Sequence, residues 1–267
     1  MNTVNINIAE FELQWRKLHG GYERYGFKLF RTALKAQVAP VLNHIKRYGS
    51  ITPELADYLV SKQPVETAYR DLYLKIGVRQ AAYTRRWINS VGRSQKGIMS
   101  FFSEKWSRLM QAFFTDHAAQ RVSDVTETTR EKIRKALSDS ADMTLSEQAT
   151  YLEDTLGSDG FTRYRAMMIS RTETTTAANC GAALGNEDAD YLTAKQWLSI
   201  LDNNTRPNHV DANGQQVENT DYFIVGGYQC MYPGDMSLPA NEVINCRCTT
   251  IYVPILSASG LPILKAV

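Results

Sequence analysis

No proline occurs between Pro64 and Pro207, a run of 142 residues in a chain of 267. A proline inside a helix removes one hydrogen bond, clashes with the preceding turn and costs about 3 kcal/mol. A run this long without one is what long helices require. Glycine agrees, since none lies between Gly97 and Gly157. The remaining prolines crowd the two ends, Pro40, Pro53 and Pro64 at the start and five from Pro207 to Pro262. The chain is therefore expected to divide into a long helical part and a turn-rich part.

The helical part shows the matching periodicity. Phe101, Trp106, Leu109, Met110, Phe113 and Phe114 recur at spacings that give one apolar stripe. Thr144 and Glu147 have capping-box spacing, and Thr52-Pro53-Glu54 reads as a helix start with proline in the first turn. These signals predict helices over about 8–46, 53–61, 65–89, 97–137 (one helix or two), 145–155 and 160–187. After about residue 190, strands are expected at 194–200, 222–225 and 248–253, joined by turns such as Asn213-Gly214 and Pro233-Gly234-Asp235. The fold class is α+β. A mostly helical region, 1–144, precedes a compact α+β module, 145–267, with a small antiparallel sheet, and that module is expected to fold as an independent unit.

Charge follows the same division. Residues 1–100 hold 16 Lys/Arg against 7 Asp/Glu, a balance of +9, while the rest of the chain carries −7. A basic first half suits a negative partner, such as DNA or an acidic protein wall; the plainer alternative is a solvated helical surface. Bases and aromatics interleave from Trp15 to Arg31. Arg16, Lys17, Arg24, Lys28 and Arg31 are the contact candidates, with the aromatics read either as stacking platforms or as helix core. No apolar run is long enough for a membrane helix, and the start Met1–Lys17 lacks the pattern of a secretory signal.

All four cysteines lie in the last third. Cys246 and Cys248 accompany His209, and these are the residue types that hold zinc; a fourth ligand would be Cys230, Asp202 or Asp211. The alternative is a buried thiol pair beside a loop histidine bonded to a turn. Catalysis by His209 with Asp211 and Arg206 is conceivable chemistry, but no HExxH, GxSxG or phosphate-binding glycine loop occurs. Arg171 and Glu173, two apart on a predicted helix, do not share a face, so each needs its own partner; Asp202 and Arg206 are the ones expected.

The order of motifs in the second half resembles a known family. It runs Arg171-Thr172-Glu173, Ala178-Asn179, Gly181, Lys195-Gln196-Trp197, Asp202-x-x-Thr205-Arg206-x-x-His209, Gly214-Gln215, Tyr232-Pro233-Gly234-Asp235 and Asn245-Cys246-Arg247-Cys248. This set, over about residues 145–255, is similar to the C-terminal domain of phage Mu F-like minor head proteins, the phage head-morphogenesis family. The resemblance implies a virion component of a tailed phage or prophage, not an enzyme. It would assemble in the host cytoplasm, reside in the head, and contact the portal protein and the major capsid or scaffold protein. Its work would lie in head morphogenesis, DNA packaging or genome delivery. The alternative is a DNA-binding protein carried with the packaged genome; a nuclease or transferase using His209 is the weaker reading. The resemblance also implies a structural zinc site, since relatives carry Cys at the positions of Arg206 and His209. Here Arg206 replaces one of them. Either Cys230 or an Asp substitutes, or Arg206 displaces the metal by pairing with Asp202 and Glu173.

Overall fold

A computed structural model describes residues 1–92 and 99–266. Six helices come first: α1 Ile8–Tyr48, α2 Pro53–Leu59, α3 Gln63–Val91, α4 Met99–Asp139, α5 Leu145–Gly157 and α6 Asp159–Glu187. Local chemistry sets their ends. Asn7 caps α1 by accepting from the Glu10 amide, and Gly49 closes it in the left-handed region. Thr52 caps α2 ahead of Pro53, and Thr144 with Glu147 forms the capping box of α5. α4 is a single helix. Its expected start at residue 97 lies outside the described residues. Trp106, Met110 and Phe114 form its buried stripe, while Leu109 turns outward.

Two small antiparallel sheets follow. β1 Thr193–Leu198 lies between β2 Gln216–Glu218 and β5 Thr249–Pro254, and β3 Phe223–Val225 pairs with β4 Tyr228–Cys230. The three-residue strands β2 and β4 and the short helices α7 Pro207–Ala212 and α8 Ala240–Val243 carry too few residues for a periodic signal. The architecture is α+β, helices first and small antiparallel sheets after.

The core does not respect a boundary near residue 145. Its largest cluster takes Trp15, Phe30, Leu72, Met110, Ala177, Leu198 and Ile251, and so draws on both halves. α6 is the hinge of this arrangement and is buried along most of its length. It lies so close to α3 that a Cβ on Gly181 would stand 2.2 Å from the Gly77 carbonyl oxygen, and one on Gly185 2.1 Å from that of Ala81. Only glycine permits this approach. A second cluster joins the distal half of α1 to α2, the end of α4 and α5. A third, around Trp197, Phe223 and the thiols of Cys230, Cys246 and Cys248, is the interior of the strand-and-loop module.

Candidate metal centre

α6 presents an unusual face to that module. Thr172, Thr175, Thr176 and Asn179 lie at i, i+3, i+4 and i+7, on one side of the helix, and all are buried. Each reaches the backbone of a motif loop. Thr172 Oγ1 accepts from the Asn245 amide at 3.0 Å, Thr175 Oγ1 donates to the Cys246 carbonyl, and Thr176 Oγ1 donates to the Gly234 carbonyl at 2.9 Å. Asn179 Nδ2 donates to the Cys248 carbonyl at 3.1 Å, and its Oδ1 accepts from the Thr250 amide at 3.0 Å. Asn179 thus pairs the outer edge of β5 as a neighbouring strand would. Loop groups that would otherwise lack partners in a dry interior are satisfied by one helix face.

The loops themselves need special backbone. Asn245 has φ of 60°, the left-handed region that Asn tolerates better than most residues, and it turns the chain out of α8 into Cys246. Gly234, at φ of 81°, lies where a Cβ would stand 2.9 Å from Thr176 Oγ1. On the other side, Pro207 begins α7, which carries His209 inward. Ser199 Oγ donates to the His209 carbonyl, and Trp197 meets the imidazole edge-on at 5.6 Å between ring centres.

His209, Cys246 and Cys248 converge. Their ligand atoms all lie within 4.8 Å of one another, and all three residues are buried. His209 Nδ1 is 3.3 Å from Cys248 Sγ and 3.7 Å from Cys246 Sγ. Zinc bonds of about 2.0–2.1 Å to nitrogen and about 2.3 Å to sulfur, at a tetrahedral angle, place N and S about 3.6 Å apart. The observed separations bracket that value, so the three donors fit a zinc ion. Without a metal, the two cysteines are hydrogen-bonded to each other. Cys246 is pushed well above the usual thiol range by its hydrogen bond to the Cys248 sulfur and by burial; the same bond pulls Cys248 down.

The fourth ligand that the sequence suggested is not in this group. Cys230 lies on β4, its thiol pushed up to about 12 by burial, outside the set of converging donors. Asp202 pairs with Arg247, and Asp211 is exposed. Arg206 lines the pocket beside the thiols and donates to the Ile244 carbonyl. The proposed cluster of Arg171, Glu173, Asp202 and Arg206 does not form. Arg171 and Glu173 each find a separate partner, as their spacing demands, but in the helical half: Arg171 meets Glu23 at 3.2 Å, and Glu173 takes Arg121 at 2.7 Å and the Tyr73 hydroxyl at 2.7 Å.

In α1, Lys17, Arg24 and Lys28 are exposed and form no ion pair among the described residues, while Arg16 pairs with Glu12 and Arg31 with Asp159. Trp15, Tyr22 and Phe30 are core, and Tyr25 and Phe27 are half-buried under Lys75 and Arg31, so the exposed cations are the main groups offered to a partner. His19, on the same helix, is buried against Thr175 at 3.0 Å, and burial lowers its pKa to about 3. No helix of the described residues is long and apolar enough to cross a membrane.

Four features of this site were not foreseen: the Thr/Asn face of α6, Arg121, His19 and Glu242. The first was readable as a polar i, i+3, i+4, i+7 stripe. Glu242, whose Oε2 lies 3.0 Å from His209 Nε2, had no signal beyond standing just before Asn245.

Residues 121–251 match the family model described as "Phage Mu protein F like protein". The match begins earlier than the motifs alone suggested, at Arg121, the partner of Glu173. Among curated proteins, the chain is 34% identical over 92 residues to "NAD(+)--arginine ADP-ribosyltransferase EFV" of Enterococcus faecalis (strain ATCC 700802 / V583), covering 33% of this chain and 19% of that protein. It is 29% identical over 92 residues to "Uncharacterized protein YqbB" of Bacillus subtilis (strain 168), covering 33% of this chain and 30% of that protein. The chain therefore spans less than a third of the length of these relatives. No solved structure matches. Residues 121–251 form a phage Mu F-like domain, a family that points to phage head morphogenesis.

Proposed function

We propose that this chain is a minor head protein of a tailed phage or prophage, resident in the virion head and engaged with the portal vertex. Its work there is head morphogenesis, DNA packaging or genome delivery, and it is not an enzyme. One observation carries the reading: the motif residues of the Mu F-like domain are spent on the module's own interior. Thr172, Asn179, Trp197, His209, Cys246 and Cys248 are all buried and bonded to one another's loops. Glu173 is buried and closed off by Arg121 and Tyr73, so it is not open to a substrate either. The ADP-ribosyltransferase name belongs to a protein of which this chain matches only 19%.

His209, Cys246 and Cys248 would hold a structural zinc, whose chemistry is to bind the α7 loop to the β5 loop. The helical half supplies the partner face. Lys17, Arg24 and Lys28 are free to meet an acidic portal, capsid or scaffold surface. Deleting the gene from the phage that encodes it, and complementing with His209→Ala or with wild type, tests the reading. Loss of mature heads on deletion, partly restored by the variant, is the expected result. Normal head yield without the gene refutes it. Packaged DNA is the alternative partner, and it would give retention that falls steeply with salt.

A further inference from the structure

The metal-donor set leaves one question of chemistry open, namely which imidazole nitrogen faces the thiols with its lone pair. A neutral histidine carries a single ring proton, and the group bonded to the other nitrogen decides where it resides. We infer that Glu242 is the positioning residue that makes His209 a metal donor through Nδ1. This rests on reading His209, Cys246 and Cys248 as ligands.

Glu242 sits on α8, a four-residue helix, and is buried. Its Oε2 lies 3.0 Å from His209 Nε2 and, as a carboxylate oxygen, accepts a hydrogen bond from an N–H there. Its Oε1 accepts from Asn208 Nδ2 at 2.9 Å and from Asn241 Nδ2 at 3.3 Å. The carboxylate is therefore held at both oxygens, and one of its holders is the neighbour of His209 on α7. With the proton on Nε2, Nδ1 presents its lone pair toward Cys246 and Cys248, 3.7 and 3.3 Å away. Trp197 packs edge-on against the ring and blocks its rotation. A carboxylate behind a ligating imidazole fixes its tautomer and orientation and raises its basicity, and losing such a partner weakens metal binding roughly 10–100-fold.

The test uses the full chain, stripped with chelator and titrated with Co²⁺ as a visible probe and with Zn²⁺ against a chromophoric chelator. Wild type should take up one Co²⁺ with a thiolate-to-cobalt absorption band. Glu242→Gln should keep the band and bind roughly 10–100-fold more weakly. In the metal-free protein, long-range ¹H–¹⁵N correlation should find His209 protonated at Nε2, with that preference lost in Glu242→Gln. If Glu242→Gln does not fold, Asn208→Ala is read instead; it leaves the carboxylate in place but frees one oxygen, and weaker binding is again expected. Binding by wild type with equal affinity in the folded variant, or an Nδ1-protonated ring, overturns the role of Glu242 and leaves the metal reading intact. No cobalt uptake by wild type overturns both.

Discussion

Replacing Asn179 with leucine, a side chain of similar size, should loosen the motif loops from α6 without opening a cavity. The amide of Asn179 is the partner of the Cys248 carbonyl and the Thr250 amide, and the Thr249 hydroxyl also donates to it. The Thr250 amide points away from β1, because the Trp197 backbone opposite it is bonded instead to Gly214 and Gln215. Neither backbone group has a substitute partner in reach of water, since Cys248, Thr249 and Thr250 are all buried. Leaving a buried donor or acceptor unsatisfied costs about 1–3 kcal/mol, so the pair amounts to about 2–6 kcal/mol. Unfolding entropy near 2.1 cal/mol/K per residue gives about 0.56 kcal/mol/K for a chain this long, which converts the loss into a Tm drop of about 4–11 °C. Differential scanning calorimetry of the two proteins reads it directly. A Tm within about 1 °C of wild type would refute the argument that the α6 face holds the loops.

Three further outcomes follow from the same structure. His19 is buried with its pKa lowered from 6.5 to about 3, so its contribution is complete above pH 6.5 and is lost as pH falls, about 2 kcal/mol by pH 5; urea titrations should show this loss in wild type and not in His19→Asn, and parallel pH profiles would contradict it. A fragment of residues 145–267 lacks the α1 and α3 surfaces that bury α6, and its thermal melt should be non-cooperative; a sharp cooperative melt would show that the module stands alone after all. Arg206→Cys places a third thiol, as fourth donor, beside His209, Cys246 and Cys248 and should tighten zinc binding in chelator competition, whereas unchanged or weaker affinity would contradict the location of the open ligand position.

The helices were legible because their signals are local: caps at Thr52 and Thr144, absence of proline, and apolar spacing along α4 each concern neighbouring residues. The strands β1, β3 and β5 were legible for the same reason, and β2, β4, α7 and α8 were not, being too short to repeat a pattern. The site divides similarly. His209 with Cys246 and Cys248 could be proposed because residue type alone limits what such groups do. Their support could not. Arg121 lies 52 residues from Glu173, and His19 lies 156 from Thr175, so only the packing of α1, α4 and α6 brings these pairs together. The ion-pair cluster expected around Arg206 failed because nearer partners, Glu23, Arg121 and Arg247, claim its members first. Phe11, Trp15, Tyr22 and Phe30 of α1 face inward because their helical spacing matches the core face, while the bases Lys17, Arg24 and Lys28 between them stay outside.

Attachment to the head at its portal is the proposed role of this chain. Co-expression with the cognate portal protein, followed by size-exclusion chromatography at low and high salt, tests it most directly. Co-elution with the portal ring at low salt is expected, weakened when Lys17, Arg24 and Lys28 are reversed to Glu, with the Tm of the free chain unchanged because all three are exposed. Elution of the wild-type chain apart from the portal under every condition would contradict it.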